Sequence, residues 1–282
     1  MPTAPVTNGE IYFEESGSGE CVLLIPGLGH GASYFDATLR RLSGVGRTVA
    51  IEPRGVGRSP SNTDAYSVEA WAADVIELMD FLGVRRAHLV GSSLGACVAL
   101  QAALDYPERV ASIVCVAGFS ELDRSLELNF RMRIGLVEKL GLGDELAAHI
   151  AMWTLGRTFI NTAEGQAAVD KLFAAVRRNC AERYVAFIRA ILAFGRVEPS
   201  QKGQPRLTAR LGALRVPACV VVGEEDILTT VAQSRQMADA IPGAELNVIP
   251  GCGHITFTER PAETAAIIGA FLRKVFAKPR AA

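Results

Sequence analysis

Five residues constrain this chain more than any others: Gly91-Ser92-Ser93-Leu94-Gly95. An apolar run, Ala87-His88-Leu89-Val90, precedes them, and a helix-like run from Ala96 to Tyr106 follows. The pattern G-x-S-x-G in that setting reads as a strand, a sharp turn and a helix. The flanking glycines let the strand and helix backbones approach closely, which forces Ser93 to the tip of the turn. A serine held there is a candidate nucleophile.

The surrounding rhythm agrees with such a turn. Ile11 to Glu15, Cys21 to Ile25, Thr48 to Ile51, His88 to Val90 and Ser112 to Val116 read as strands. Ser67 to Leu82 carries apolar residues every three or four positions (Val68, Trp71, Val75, Leu78, Met79, Leu82), the period of a helix. Runs that are apolar on both faces fit a mostly parallel sheet covered by helices on each side. From about residue 120 to 200 no strand is expected, and Leu136 to Leu142, Asp144 to Leu155, Ala163 to Arg177 and Ala181 to Phe194 read as helices. Strand patterning returns at Ala218 to Val222 and Leu246 to Ile249, and Ala262 to Phe276 closes the chain as a helix. The expectation is an α/β core domain from residues 1–119 and 201–282, with an all-helical cap over 120–200.

Composition narrows the function classes. With 282 residues, 49% of them hydrophobic, the chain is long enough to bury a sizeable core. Its formal net charge is -1, and no long basic run or zinc-ligand spacing occurs, so no nucleic-acid partner and no metal are expected. No apolar stretch is long enough to span a bilayer, so no membrane partner is expected. The segment from Met1 to Gly9 lacks the layout of a secretion signal. Cys21, Cys97, Cys115 and Cys219 lie in or beside apolar runs, while Cys180 and Cys252 are scattered elsewhere; all six read as reduced thiols of a cytoplasmic protein. A monomer or a homodimer is expected.

A serine hydroxyl needs a base, and the base an orienting group. Four histidines are available. His88 sits inside a strand and His149 in the helical insertion. His30 follows the second strand in a glycine-rich loop. His254, in Pro250-Gly251-Cys252-Gly253-His254, follows the last strand, where ligands of open α/β sheets bind, and is the preferred base. Asp226, in Gly223-Glu224-Glu225-Asp226, is the preferred acid, giving the chain order serine, acid, histidine. Glu225, Glu121 and Asp123 stand as alternatives. The oxyanion donors are assigned to the N–H groups of Leu94, directly after the serine, and Leu28, in Pro26-Gly27-Leu28-Gly29-His30-Gly31. Glu52-Pro53-Arg54-Gly55-Val56-Gly57-Arg58-Ser59 reads as a tight structural loop in which Arg54 and Ser59 pin their neighbours.

Taken together, Pro26 to Gly29, Glu52 to Ser59, Gly91 to Gly95, Gly223 to Asp226 and Gly253-His254 resemble the α/β-hydrolase superfamily. The resemblance runs from the first strand to the C-terminal helix and implies a cofactor-independent hydrolase. Three positions depart from the pattern: Pro26 replaces a usual histidine, Glu52 a usual aspartate, and Ser92 precedes the nucleophile where histidine is frequent. Within the superfamily, Leu24 to Gly29 and Ala103-Leu104-Asp105-Tyr106-Pro107 are similar to the 3-oxoadipate enol-lactonases and the aminoacrylate hydrolases of pyrimidine breakdown.

The expected reaction is cleavage of a small ester, enol-lactone or related carbonyl compound through an acyl-enzyme on Ser93. Carbon–carbon bond hydrolysis, acyl transfer and perhydrolysis use the same machinery. A non-catalytic small-ligand receptor on the same fold is the alternative from another class. The cap is expected to line the pocket with apolar residues, with Phe130, Met132, Met152, Trp153, Leu155 and Phe159 as candidates. His30, Phe119, Arg131, Arg133 and Trp153 are the candidate substrate contacts, either arginine being suited to a substrate carboxylate.

Overall fold

The computed structural model describes residues 2–195 and 207–277. Strands β1 (Thr3–Val6), β2 (Gly9–Ser16), β3 (Cys21–Ile25), β4 (Arg47–Ile51), β5 (Ala87–Ser92), β6 (Val110–Val116), β7 (Ala218–Gly223) and β8 (Glu245–Ile249) form one sheet. Its order is β1-β2-β4-β3-β5-β6-β7-β8. From β4 to β8 every pairing is parallel; β2 runs antiparallel to both of its neighbours. β3, β5 and β7 are buried along their whole length, as strands covered on both faces must be. The edge strand β1 was not expected from the sequence. It is short and contains Pro5, a residue that an edge tolerates because no N–H is needed on its open side.

The helices are α1 (Asp36–Leu42), α2 (Val68–Phe81), α3 (Leu94–Asp105), α4 (Arg124–Leu140), α5 (Asp144–Thr154), α6 (Arg157–Ile160), α7 (Ala163–Arg178), α8 (Ala181–Gly195), α9 (Leu207–Arg210), α10 (Val231–Ala240), α11 (Thr256–Glu259) and α12 (Pro261–Phe276). Alternate residues of each central strand serve opposite layers. Leu23, Leu89, Ile113 and Val220 pack with Trp71 and Leu78 of α2 and Leu100 of α3. Leu24, Val90, Val114 and Val221 pack with Leu42 of α1 and Ile268 and Leu272 of α12. None of the described helices is long and apolar enough to cross a membrane.

Helices α4 to α8 lie between β6 and β7 in the chain. The expected end of this insertion, at residue 200, lies outside the described residues. α4 begins well before the expected Leu136. The Asp123 side chain accepts the Leu126 N–H at 2.7 Å and starts the helix, whose charged residues hide its apolar period. Cys21, Cys97, Cys115, Cys219 and Cys252 are buried free thiols, and Cys180 is exposed.

The loop with Glu52 is a structural junction. Arg54, completely buried, pairs with Asp74 of α2 at 3.0 Å. The Ser59 hydroxyl donates to the Glu52 carbonyl at 2.6 Å and accepts the Tyr12 N–H at 2.9 Å. The Glu52 carboxylate bonds Arg58 and fills the space beside Gly31 and Gly57; a Cβ at either glycine would come within 2.9 or 2.3 Å of it. Glutamate in place of aspartate thus reaches across to the loop after β3.

Candidate active site

The turn between β5 and α3 is as tight as the glycine spacing implies. A Cβ on Gly91 would stand 2.1 Å from the Gly95 carbonyl oxygen, and one on Gly95 would stand 2.1 Å from that of Ile25. No larger residue fits at either place. Between them Ser93 adopts φ 53° and ψ −116°, held by its own N–H donating to the Val116 carbonyl at 2.8 Å. Such a backbone costs on the order of 1–3 kcal/mol in a non-glycine residue and persists only where its surroundings enforce it.

The loop after β3 lies directly against this serine. A Cβ at Gly27 would be 3.1 Å from Ser93 Cβ and 3.7 Å from its Oγ. Leu28 lines the same cleft. Leu94 is the first residue of α3, so its N–H has no acceptor within the helix and lies at the positive end of the helix dipole. His30 bonds the Leu28 carbonyl through Nδ1 at 3.1 Å and rests against the Tyr34 ring. Burial, aided by the nearby His254, lowers the His30 pKa to about 4, against the opposing effect of its bond to Leu28, so this ring is neutral at pH 7. The Tyr34 hydroxyl lies 3.3 Å from Ser92 Oγ.

Asp226 and His254 meet through the loops after β7 and β8. His254 Nδ1 donates to Asp226 Oδ2 at 2.9 Å, and both side chains are buried. The other carboxylate oxygen, Oδ1, accepts the N–H groups of Leu228 and Thr229 at 2.9 and 2.8 Å, which locks the carboxylate's orientation. Thr229 is the residue the sequence reading missed. Its hydroxyl lies 2.8 Å from Asp226 Oδ2, 3.0 Å from the Ala117 carbonyl and 3.1 Å from His254 Nδ1. The spacing D-x-x-T, in which an aspartate folds back on the residues following it, is the signal that marks it.

The alternative acids are engaged elsewhere. Glu225 accepts from the backbone N–H and the hydroxyl of Thr158, at the start of α6. Glu121 accepts from Thr208 and Gln236, and Asp123 caps α4. Glu259, buried in α11, accepts the N–H of Gly253 at 2.8 Å and that of Gly156 at 3.1 Å, joining the loop before His254 to the segment between α5 and α6. Burial raises its pKa, and these backbone donors oppose the rise. His88 is a core residue whose Nδ1 lies 2.8 Å from Ser112 Oγ. His149 meets the Asn129 side chain at 3.1 Å.

A cleft of about 710 Å³, its open mouth included, brings together Ser93, His254, Leu28, His30, Phe130 and Arg133. Several expected contacts lie elsewhere. Phe119 is sealed in the core, where its carbonyl accepts the Cys97 thiol. Arg131 points outward and pairs with Glu127 one helical turn away. Trp153 packs beside His149 outside the cleft, and Leu155 and Phe159 belong to a small separate cluster with Ile255. Met132 and Met152 are 56% and 70% exposed. Of the six apolar cap candidates only Phe130 lines the cleft. Which face of a cap helix turns inward is set by the packing of α4 on α5 and α8, of α5 and α6 on α7, and of α8 on α2, not by composition.

A family model described as "alpha/beta hydrolase fold" matches residues 20–261. The chain is similar to a protein of Variovorax paradoxus (strain S110) named as a carbamate hydrolase, RutD, at 33% identity over 86% of this chain and 89% of that one. Among solved structures it is similar to a thermophilic esterase from Thermogutta terrifontis, at 24% identity and a TM-score of 0.85, covering 98% of this chain and 99% of that one. It is also similar to the enol-lactonase from Burkholderia xenovorans LB400, at 22% identity and a TM-score of 0.85, covering 96% of this chain and 100% of that one. With this match across most of its length, the chain belongs to the α/β-hydrolase fold family and is a hydrolase of that fold.

Proposed function

We propose that this protein is a cofactor-independent serine hydrolase that cleaves a small ester, enol-lactone or carbamate-like carbonyl compound through an acyl-enzyme on Ser93. The carrying observation is the 2.9 Å contact of His254 Nδ1 with Asp226, which leaves Nε2 as the ring nitrogen for proton transfer in the cleft shared with Ser93. His254 Nε2 takes the hydroxyl proton as Ser93 Oγ bonds to the carbonyl carbon. Asp226 holds the ring in the tautomer that keeps Nε2 free and stabilises the imidazolium that forms. The N–H groups of Leu28 and Leu94 donate hydrogen bonds to the oxyanion. The tetrahedral intermediate then collapses, the bond to the leaving group breaks, and that group departs with the proton from His254. Water, deprotonated by the same nitrogen, attacks the acyl carbon and releases Ser93.

The names of the relatives support the substrate range: carbamate hydrolase, esterase and enol-lactonase all denote hydrolysis at the carbonyl carbon of an acyl compound. The test is labelling with a fluorophosphonate and location of the adduct by mass spectrometry. An adduct on Ser93 in the wild type, absent from His254→Ala, is the expected result. Absence of an adduct from folded wild-type protein that still turns over esters would overturn the serine mechanism.

A further inference from the structure

Arg133 is only 4% exposed, yet two of its nitrogens, Nε and Nη2, have no hydrogen-bond partner. It lines the same cleft as Ser93 and His254. A buried guanidinium cannot shed its proton, so it is stabilised in an interior only by an anion or by full hydrogen bonding. Neither is supplied among the described residues: the neighbouring cation of α4, Arg131, takes Glu127 on the outer face. The Phe130 ring lies 5.5 Å from the guanidinium carbon and covers a face of the group, but a ring face offers nothing to N–H groups on the edge.

The two open nitrogens are not an arbitrary pair. Nε–H and one N–H of Nη2 point in parallel along one edge of the guanidinium, the edge that matches the two oxygens of a carboxylate. The Tyr184 hydroxyl, also buried, lines the same cleft and donates to no acceptor among the described residues. Burial raises the Tyr184 pKa, and the charge of Arg133 and a hydrogen bond from it act against that rise. The cation also reaches His149, whose pKa is lowered first by burial and then by Arg133. The inner wall of the cleft thus holds a buried positive charge and donor groups that lack an acceptor among the described residues.

We infer that Arg133 and the Tyr184 hydroxyl form a carboxylate-binding subsite, and that the natural substrates are small carbonyl compounds bearing a carboxylate away from the bond that is cleaved. This inference rests on the serine-hydrolase reading. The carboxylate accepts side-on from Nε and Nη2 and takes a third bond from Tyr184, while the electrophilic carbon lies at Ser93. Holding the far end of the substrate uses binding energy to orient the reacting end.

The test compares monomethyl and dimethyl esters of succinate, glutarate and adipate, which differ by one charge at each chain length, with methanol release as the readout. Wild-type protein is expected to prefer the monoester at one or more lengths, by about tenfold or more in kcat/KM. That preference is expected to disappear in Arg133→Met, to survive in part in Arg133→Lys, and to fall less in Tyr184→Phe. No preference in wild type at any length, or a preference unchanged in Arg133→Met, would overturn the subsite. Fluorophosphonate labelling of Ser93 in the same preparations separates the two readings: labelled protein without the preference refutes the subsite and leaves the hydrolase reading standing. Where wild type is neither labelled nor turns over any ester, calorimetric binding decides. Tighter binding of a monoester than of its diester, lost in Arg133→Met, supports the subsite, and equal or absent binding refutes it.

Discussion

The backbone N–H of His254 donates to the carbonyl oxygen of Thr154 at 2.8 Å. The proposed catalytic base, in a loop after β8, is therefore tied by its own main chain to the last residue of α5 in the helical insertion. Glu259 reinforces the junction from below by accepting the N–H groups of Gly253 and Gly156. The base and the wall of the cleft are held as one unit.

That junction depends on Glu259. Glu259→Ala leaves two buried N–H groups without an acceptor, at about 1–3 kcal/mol each. It is expected to lower both the unfolding midpoint in denaturant and kcat. Glu259→Gln keeps an oxygen acceptor and is expected to cost less in both measurements. Equal losses in the two variants would show that charge, not acceptance, matters here.

Ser93 carries strain in return for its position. Ser93→Ala is expected to abolish turnover while leaving the circular dichroism spectrum unchanged. Ser93→Gly is expected to abolish turnover as well and to raise stability by about 1 kcal/mol, because glycine accepts the positive φ without strain. Denaturant titration of the two variants against wild type checks the difference.

The proposed acid, Asp226, is bonded by Thr229 as well as by His254. Asp226→Asn is expected to lower kcat by roughly 10²–10⁴, since both the tautomer and the orientation of His254 are lost. Thr229→Val removes one hydroxyl bridge among Asp226, Ala117 and His254 and is expected to cost about tenfold, the worth of one net hydrogen bond. Steady-state kinetics on one ester suffices for both.

His30 makes the fold sensitive to acid. Its folded pKa, near 4, lies below the ordinary histidine value of 6.5. Between these values the unfolded chain takes up a proton that the folded protein refuses, so stability is lost as pH falls from 6.5 towards 4. His30→Asn is expected to flatten that limb of the stability profile, measured as the denaturation midpoint at intervals of half a pH unit. A limb of unchanged slope would assign the loss to other groups.

Several parts of this site are legible in the sequence alone. Gly91, Ser93 and Gly95 carry their geometry in their spacing, because only glycine fits where two backbones come within van der Waals contact. Asp226 and His254 follow strands whose apolar runs are plain, and a strand's end in a parallel sheet is a place as well as a position. Thr229 was not singled out, since a threonine in a turn has many ordinary uses. Glu225 and Asp226 are adjacent and chemically alike; packing against Thr158 and His254 separates them. Arg131 and Arg133 are two residues apart on one helix, about 200° around its axis, so one had to face out if the other faced in.

The α/β rhythm, the tight turn around Ser93 and the chain order of the proposed serine, acid and histidine are written in the sequence. The rhythm and the turn are local: they depend on backbone sterics, on the period of apolar residues and on which residues tolerate a positive φ. Folding in three dimensions is what turns Arg133 rather than Arg131 to the cleft, turns Met132 and Met152 away from it, and lets Glu259 tie the loop of the proposed base to the segment between α5 and α6. Those outcomes turn on how helices rotate to bury their apolar stripes against one another. That rotation is settled by the summed packing of many distant residues, and no short stretch of chain contains it.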